Sequence, residues 1–176
     1  FRGMLELARD DEGDMSVVNT VVTADYLASV VGAEVPASWE PAALAAQAIA
    51  ARTYLLTHLD RHGAYDLEGD TRDQAYDGLE SEAAATIEAV RRTAGIVATY
   101  RGAAISALYS ANAGGVTEDS ENVFPNALPY LRSVPSPGDE VARLSDWGRS
   151  GLDWTRELTP KQHLADLAAR GIDVGE

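Results

Sequence analysis

Cysteine is absent from this chain, which excludes a disulfide framework and any metal site built on thiolates. Lysine is almost absent too: Lys161 is the only one, and the other thirteen of the fourteen basic residues are arginine. Against 28 acidic residues this leaves a net charge of −14. So few cations cannot displace the counterions of a phosphate backbone, and nucleic acid is not an expected partner. No apolar run approaches the roughly 20 residues that a bilayer span needs, and no leader pattern of basic and apolar segments is present. The chain starts on Phe1 and stops at Glu176, so it reads as a piece cut from a longer protein. Internal repeats and low-complexity tracts are also missing.

What is present is enough chain for one domain with a sizeable core: 176 residues, 45% of them hydrophobic. The organising stretch is Glu34–Tyr54, EVPASWEPAALAAQAIAARTY. Pro36 pushes Val35 towards an extended conformation and places the lone acid Glu34 in a turn. Ser38 is positioned to cap a new helix, with Pro41 in its first turn. From Ala42 to Ala51 only Gln47 is polar, and a helix apolar on all sides is expected to be buried on all sides. Arg52 is then a buried cation that must meet a carboxylate, with Glu34 as one candidate, or line a polar cleft.

Around this helix the pattern predicts further elements in order. Residues 3–9 and 15–22 read as a hairpin about a polar turn. Thr23 caps a short helix from Ala24 to about Val31, ended by Gly32. The long helix closes near His62-Gly63, and residues 64–78 form a polar loop. A helix over Glu80–Thr93 stops at Gly95, and two strands flank a tight turn at Arg101-Gly102. Thr159-Pro160 opens a last amphipathic helix to about Arg170. Helices and hairpins in this mixed order predict an α+β fold of one domain over 1–176, with a central buried Ala-rich helix, β-hairpins and a C-terminal amphipathic helix; the tail beyond about 138 is less regular.

Several motifs invite chemistry and are better read as plain structure. His58 and His62 have the i, i+4 spacing of a zinc pair, but Leu59 stands where the metalloprotease pattern needs Glu, so they read as helix-end histidines. Asp66, Glu68, Asp70 and Asp77 suggest a calcium loop, yet the glycine, Gly69, is out of place. Ala113-Gly114-Gly115 lacks the lysine and helix of a phosphate cradle; its glycines are expected to let the backbone approach something closely.

Taken together, VTADYLASVVGAEVPASWEPAALAAQAIAARTYLL, DQAYDG, AVRRTAGIVATYRGAAISALYSANAGGVTED and LPYLRSV resemble the SpoIID/LytB family in order and spacing, over about residues 2–137. The resemblance implies an extracytoplasmic domain, in the cell wall or anchored to the membrane, whose partners are peptidoglycan glycan strands. Some family members are lytic transglycosylases that cut peptide-stripped strands; others are enhancers of an N-acetylmuramoyl-L-alanine amidase. Carried over by residue, it implies Glu34 as the catalytic acid, Arg52 as the family's helix arginine and Gln47 as its helix glutamine, in substrate binding. Tyr109, Ser110, Gly114, Gly115, Thr117 and Glu118 correspond to the family's Tyr-Ser and glycine block. Trp39, Tyr76 and Tyr109 offer apolar faces to sugar rings. Ala45 stands where many members carry lysine. Glu68, Arg72 and Asp73 stand where others carry a Cys/His/Cys zinc cluster, so neither a zinc site of that kind nor any cofactor is expected.

A lytic transglycosylase needs one carboxyl group: it protonates the glycosidic oxygen, then accepts the proton of the sugar's own 6-hydroxyl as that oxygen closes a 1,6-anhydro ring. A hydrolase would need a second acid, Glu118 for instance, to activate water. A cation touching the acid would hold it ionised. Arg52 is therefore expected beside the cleft as a catalytic residue that holds substrate or the developing charge, out of tight contact with Glu34.

Overall fold

The computed structural model describes residues 1–9, 13, 15–59, 63–142, 144, 155 and 157–169, in an α+β fold. The chain forms two compact units, Phe1–Ala111 and Asn112–Glu176. In the first, β1 (Met4–Arg9) pairs antiparallel with β2 (Met15–Thr20), in register from Met4 against Thr20 to Arg9 against Met15. Three helices follow: α1 (Thr23–Glu34), α2 (Pro41–Thr57) and α3 (Ala84–Arg92). A short ribbon, β3 (Thr99–Tyr100) and β4 (Ala103–Ala104), turns at Arg101 and Gly102, both at positive φ.

The core lies where the three helices meet. Tyr26, Leu27, Val30 and Val31 of α1 pack with Leu44, Ala48, Ala51 and Leu55 of α2 and with Ala89 and Val90 of α3. The α2 positions recur at i, i+4, i+7 and i+11, a single helical stripe. Expected burial on all sides of α2 is therefore only half met. Ala42 and Ala46 are exposed, whereas every residue from Ala51 to Leu55 is buried. Alanine is a strong helix former whose one methyl gains little from burial, so an alanine run specifies a helix more firmly than it specifies an interior.

Helix boundaries differ from expectation at α1. Its N-cap is Val22 and not Thr23, and it runs through Gly32 to Glu34, so Glu34 is the helix's last residue and not part of a free turn. Termination comes from Pro36. Val35 is extended, at φ −140° and ψ 145°, and its N–H closes the helix on the carbonyl of Val31. Ser38 does not cap α2; Glu40 holds the N-cap position, with Pro41 in the first turn as expected.

Gly32 is required for space. A Cβ there would lie 1.8 Å from the carbonyl oxygen of Ser81. The same segment is fastened to α1 by Ser81, whose hydroxyl donates to the carbonyl of Ser29 at 2.9 Å. Gly32→Ala must pry α1 from this turn, at a cost of about 1–3 kcal/mol. A melting curve checks this, and an unchanged midpoint would mean the two segments are free to separate.

In the second unit, α4 (Asp139–Ala142) and α5 (Pro160–Ala169) are the described helices, with a 3₁₀ turn at Ser120–Asn122. The helix expected after Thr159 is therefore present, and none of its residues is buried. His62 lies outside the described residues. Among those described, no helix is long and apolar enough to cross a membrane.

Candidate active site

Glu34 is half-buried at the C-terminal end of α1. Its Oε1 accepts the backbone N–H of Ala75 at 3.0 Å and the hydroxyl of Tyr109 at a long 3.5 Å. Behind Tyr109 stands Gln74, fully buried, whose Nε2 donates to the Tyr109 oxygen at 2.8 Å and to the carbonyl of Ala51 at 3.3 Å. Oε1 of Gln74 accepts the hydroxyl of Tyr26 at 3.1 Å. A connected polar chain thus runs from α1 through the 73–76 segment to the segment carrying Tyr109 and back to Glu34. Burial, above all, raises the pKa of both Tyr26 and Tyr109, so each keeps its proton at neutral pH.

Sequence reasoning missed Gln74 and Tyr26. The signal is the glutamine of DQAYDG itself, whose amide offers two donors and an acceptor that a buried site must satisfy.

Arg52 is buried, as expected, but the structure does not bring it to a carboxylate. Nη1 donates to Thr93 Oγ1 at 3.3 Å and to the Ile96 carbonyl at 3.1 Å, and Nη2 donates to the Val90 carbonyl at 3.1 Å. These acceptors lie at and just past the C-terminal end of α3, where carbonyls lack helical partners and a cation is favoured. Burial lowers the arginine's pKa from a value so high that it stays charged. It also lines a cavity of about 520 Å³ with Asp25, Glu82 and Arg91. Its neighbour Thr53 accepts the N–H of Ala98 at 2.9 Å. Arg52 and Thr53 thus anchor residues 96–98, the start of the segment that returns with Tyr109.

The remaining residues of this unit are dispersed. Gln47 is half-buried, and its Nε2 is a buried donor with no partner among the described residues. Trp39 is 45% exposed in the turn before α2. Ser110 is exposed. Tyr76 packs its ring on Tyr26 at 5.1 Å between centroids and donates to Asn19 Oδ1 at 2.6 Å. Tyr76 lines a cavity of about 730 Å³ between β2, the end of α2 and residues 64–69; Glu34 is not among the lining residues. At the position of the family's zinc cluster, Arg72 pairs with Asp70 at 2.8 Å and with Glu68 at 3.0 Å, and Asp73 accepts the hydroxyl of Tyr54. Among the described residues, no group of three or more potential ligands could hold a metal ion.

In the second unit, Gly114 and Gly115 have φ of 72° and 98°, and a Cβ at either would meet nothing within 4 Å. Both take a backbone conformation that favours glycine, and no described part of the chain crowds the space a side chain would fill. The turn aims the N–H groups of Ala113 and Gly115 at Asp139 Oδ2, at 3.1 and 2.8 Å. Donation from Gly115 leads the causes that hold the Asp139 carboxyl below its usual pKa. A depressed native pKa contributes stability that is complete above the ordinary value of about 3.9 and lost as pH falls through the native one. The Ala113 and Gly115 amide resonances should therefore move together only below about pH 4, and should not titrate in Asp139→Asn. Thr117 is pinned by its N–H and hydroxyl to the carbonyls of Val134 and Arg132. Glu118 accepts from Asn122 Nδ2 and the Asp119 N–H, each at 2.8 Å, which lowers its pKa.

Within the first unit, the arrangement is a half-buried carboxyl on a helical α+β scaffold, backed by tyrosines and a buried glutamine. Comparison with known proteins assigns its kin. The family model described as stage II sporulation protein, SpoIID, matches residues 11–100, just over half of the chain. The chain belongs to the SpoIID family. It is 30% identical over 140 residues to stage II sporulation protein D of Bacillus subtilis, covering 70% of this chain and 41% of that protein. It is 42% identical over 148 residues to the amidase enhancer of the same organism, covering 84% of this chain and 18% of the relative. A protein of Brachyspira hyodysenteriae is 39% identical over 123 residues, 68% of this chain and 33% of its own length. The chain thus spans well under half the length of these relatives.

Proposed function

We propose that this domain acts on bacterial cell-wall peptidoglycan outside the cytoplasm, as a lytic transglycosylase with Glu34 as its general acid and base. The observation that carries this reading is the half-buried Glu34, held by the Ala75 N–H and the Tyr109 hydroxyl, in a chain whose family is SpoIID. One carboxyl suffices when the nucleophile is the sugar's own 6-hydroxyl. The proton on Glu34 passes to the glycosidic oxygen as its bond to the anomeric carbon breaks. The 6-oxygen then bonds to that carbon and its proton returns to Glu34, so no water is consumed.

The unpartnered Nε2 of Gln47 supports a substrate contact, since a buried donor without an acceptor is costly until one arrives. Exposed Trp39 suits the face of a sugar ring. Tyr109 serves Glu34 directly. Ser110 and the block Gly114, Gly115, Thr117 and Glu118 are proposed glycan contacts by family correspondence, and Tyr76 is proposed as an apolar face for a sugar ring. Arg52 supports the site through the 96–98 segment.

A second reading has its own support: the relative named amidase enhancer covers 84% of this chain. On that reading the domain binds glycan and stimulates an amidase without turnover. Digestion of peptide-stripped strands, with intact peptidoglycan alongside, separates the two by mass spectrometry. Anhydro-ended fragments support the transglycosylase, reducing ends a hydrolase, and binding without release the enhancer.

A further inference from the structure

We infer that Gln74 is a positioning residue: it fixes the Tyr109 hydroxyl as a donor to Oε1 of Glu34 and so leaves Oε2 to carry the transferable proton. The inference rests on Glu34 being the acid proposed above. Its basis is the polarity of the buried chain of hydrogen bonds. The Ala51 carbonyl can only accept, so the Gln74 nitrogen must face it, and Oε1 must face Tyr26. The second N–H of Nε2 then points at the Tyr109 oxygen, 2.8 Å away. An amide nitrogen cannot accept a proton in return. The Tyr109 proton is thereby left for another acceptor, and the one it reaches is Glu34 Oε1. Gln74 is fully buried, so water cannot reverse this order.

The residue after Gln74 adds a second donor to the same oxygen, the Ala75 N–H at 3.0 Å. A proton on Oε1 would face both donors. On Oε2 it faces none, because among the described residues Oε2 has no hydrogen-bond partner. The 74–75 dipeptide therefore sorts the two carboxylate oxygens, one to be held and one to react.

The test compares Tyr109→Phe, Gln74→Met and the double variant on peptide-stripped glycan, with melting temperatures measured for each. Each single change is expected to lower kcat about tenfold with KM nearly unchanged, the scale of one hydrogen bond in a buried network. The double variant should be no slower than either single one, because Gln74 acts through Tyr109. Effects on kcat that multiply in the double variant would overturn the inference. A second arm needs no turnover: with tyrosine labelled at Cζ, the Tyr109 resonance should shift in both Gln74→Met and Glu34→Gln while that of Tyr100 stays in place. An unmoved Tyr109 resonance in Gln74→Met would sink the proposed wiring. If the wild type releases no anhydro-ended product, the transglycosylase reading fails by itself, and the spectroscopic arm still decides the wiring.

Discussion

Glu34→Gln should reduce the release of anhydro-ended fragments by roughly a hundredfold to ten-thousandfold, the range over which a positioned acid and base contributes. The substitution is well suited to the site. A glutamine oxygen accepts the Ala75 N–H and the Tyr109 hydroxyl as the carboxylate does, so neither donor is stranded. What is lost is the capacity to give and retrieve a proton. The melting temperature is expected to stay within a few degrees of wild type, and binding to peptide-stripped strands should persist. Mass spectrometry of the products, with a binding measurement on the same preparation, checks both halves. Undiminished cleavage by the variant would remove Glu34 from the reaction. Binding by both proteins, with release by neither, would leave an enhancer.

The second large effect concerns stability. Arg52→Leu should destabilise the domain by about 3–5 kcal/mol, since three hydrogen bonds from a buried charged donor disappear and the buried Val90 carbonyl keeps only a long 3.4 Å bond from Thr93. For a unit of about this size such a loss corresponds to a fall of roughly 15 °C in the melting midpoint. Arg52→Lys should restore only part of it, because one ammonium cannot reproduce a planar fork that reaches Thr93, Val90 and Ile96 together. A substrate-binding arginine would behave in the opposite way, losing kcat/KM in the lysine variant with an unchanged midpoint. Calorimetry and kinetics below the midpoint, on the same two variants, distinguish the roles.

The legible parts of the sequence were those set by local rules. Alternation in MLELAR and MSVVNT specified β1 and β2, and an Ala-rich run with an early proline specified α2. The Arg101-Gly102 pair marks its turn because Gly102 suits the positive φ that a tight hairpin turn requires, and Arg101 is carried into the same region. The failures came where a distant segment decides. Gly32 reads as a helix stop until the Ser81 carbonyl is placed against it. Arg52 reads as a buried cation for a carboxylate or a polar cleft, since composition does not reveal that the end of a helix and the turn after it can supply three acceptors. At the candidate site Glu34 is legible as an acid two residues before a proline, and its proposed role comes from the family resemblance. Its support was not legible, because Gln74 works only through contacts made from α1 and α2 and from the segment carrying Tyr109.

The ribbon of β1 and β2 has a consequence of a different kind. All six residues of β1 are exposed, and Leu7, Met15 and Val17 are among the large side chains left facing outwards. Its attachment is concentrated at the root. Asn19 donates to the carbonyls of Arg2 and Met4 and accepts from Tyr76, while Arg2 is bound through two nitrogens to Glu82. With so little apolar area holding its length, the ribbon is the low-energy end of the unit's hierarchy of opening. It can peel to Asn19 and re-form many times within the lifetime of the folded helices. The amides of β1 and β2 thus keep their own clock, set by the Asn19 and Arg2 contacts at the root, while those of α1 and α2 keep the clock of global unfolding.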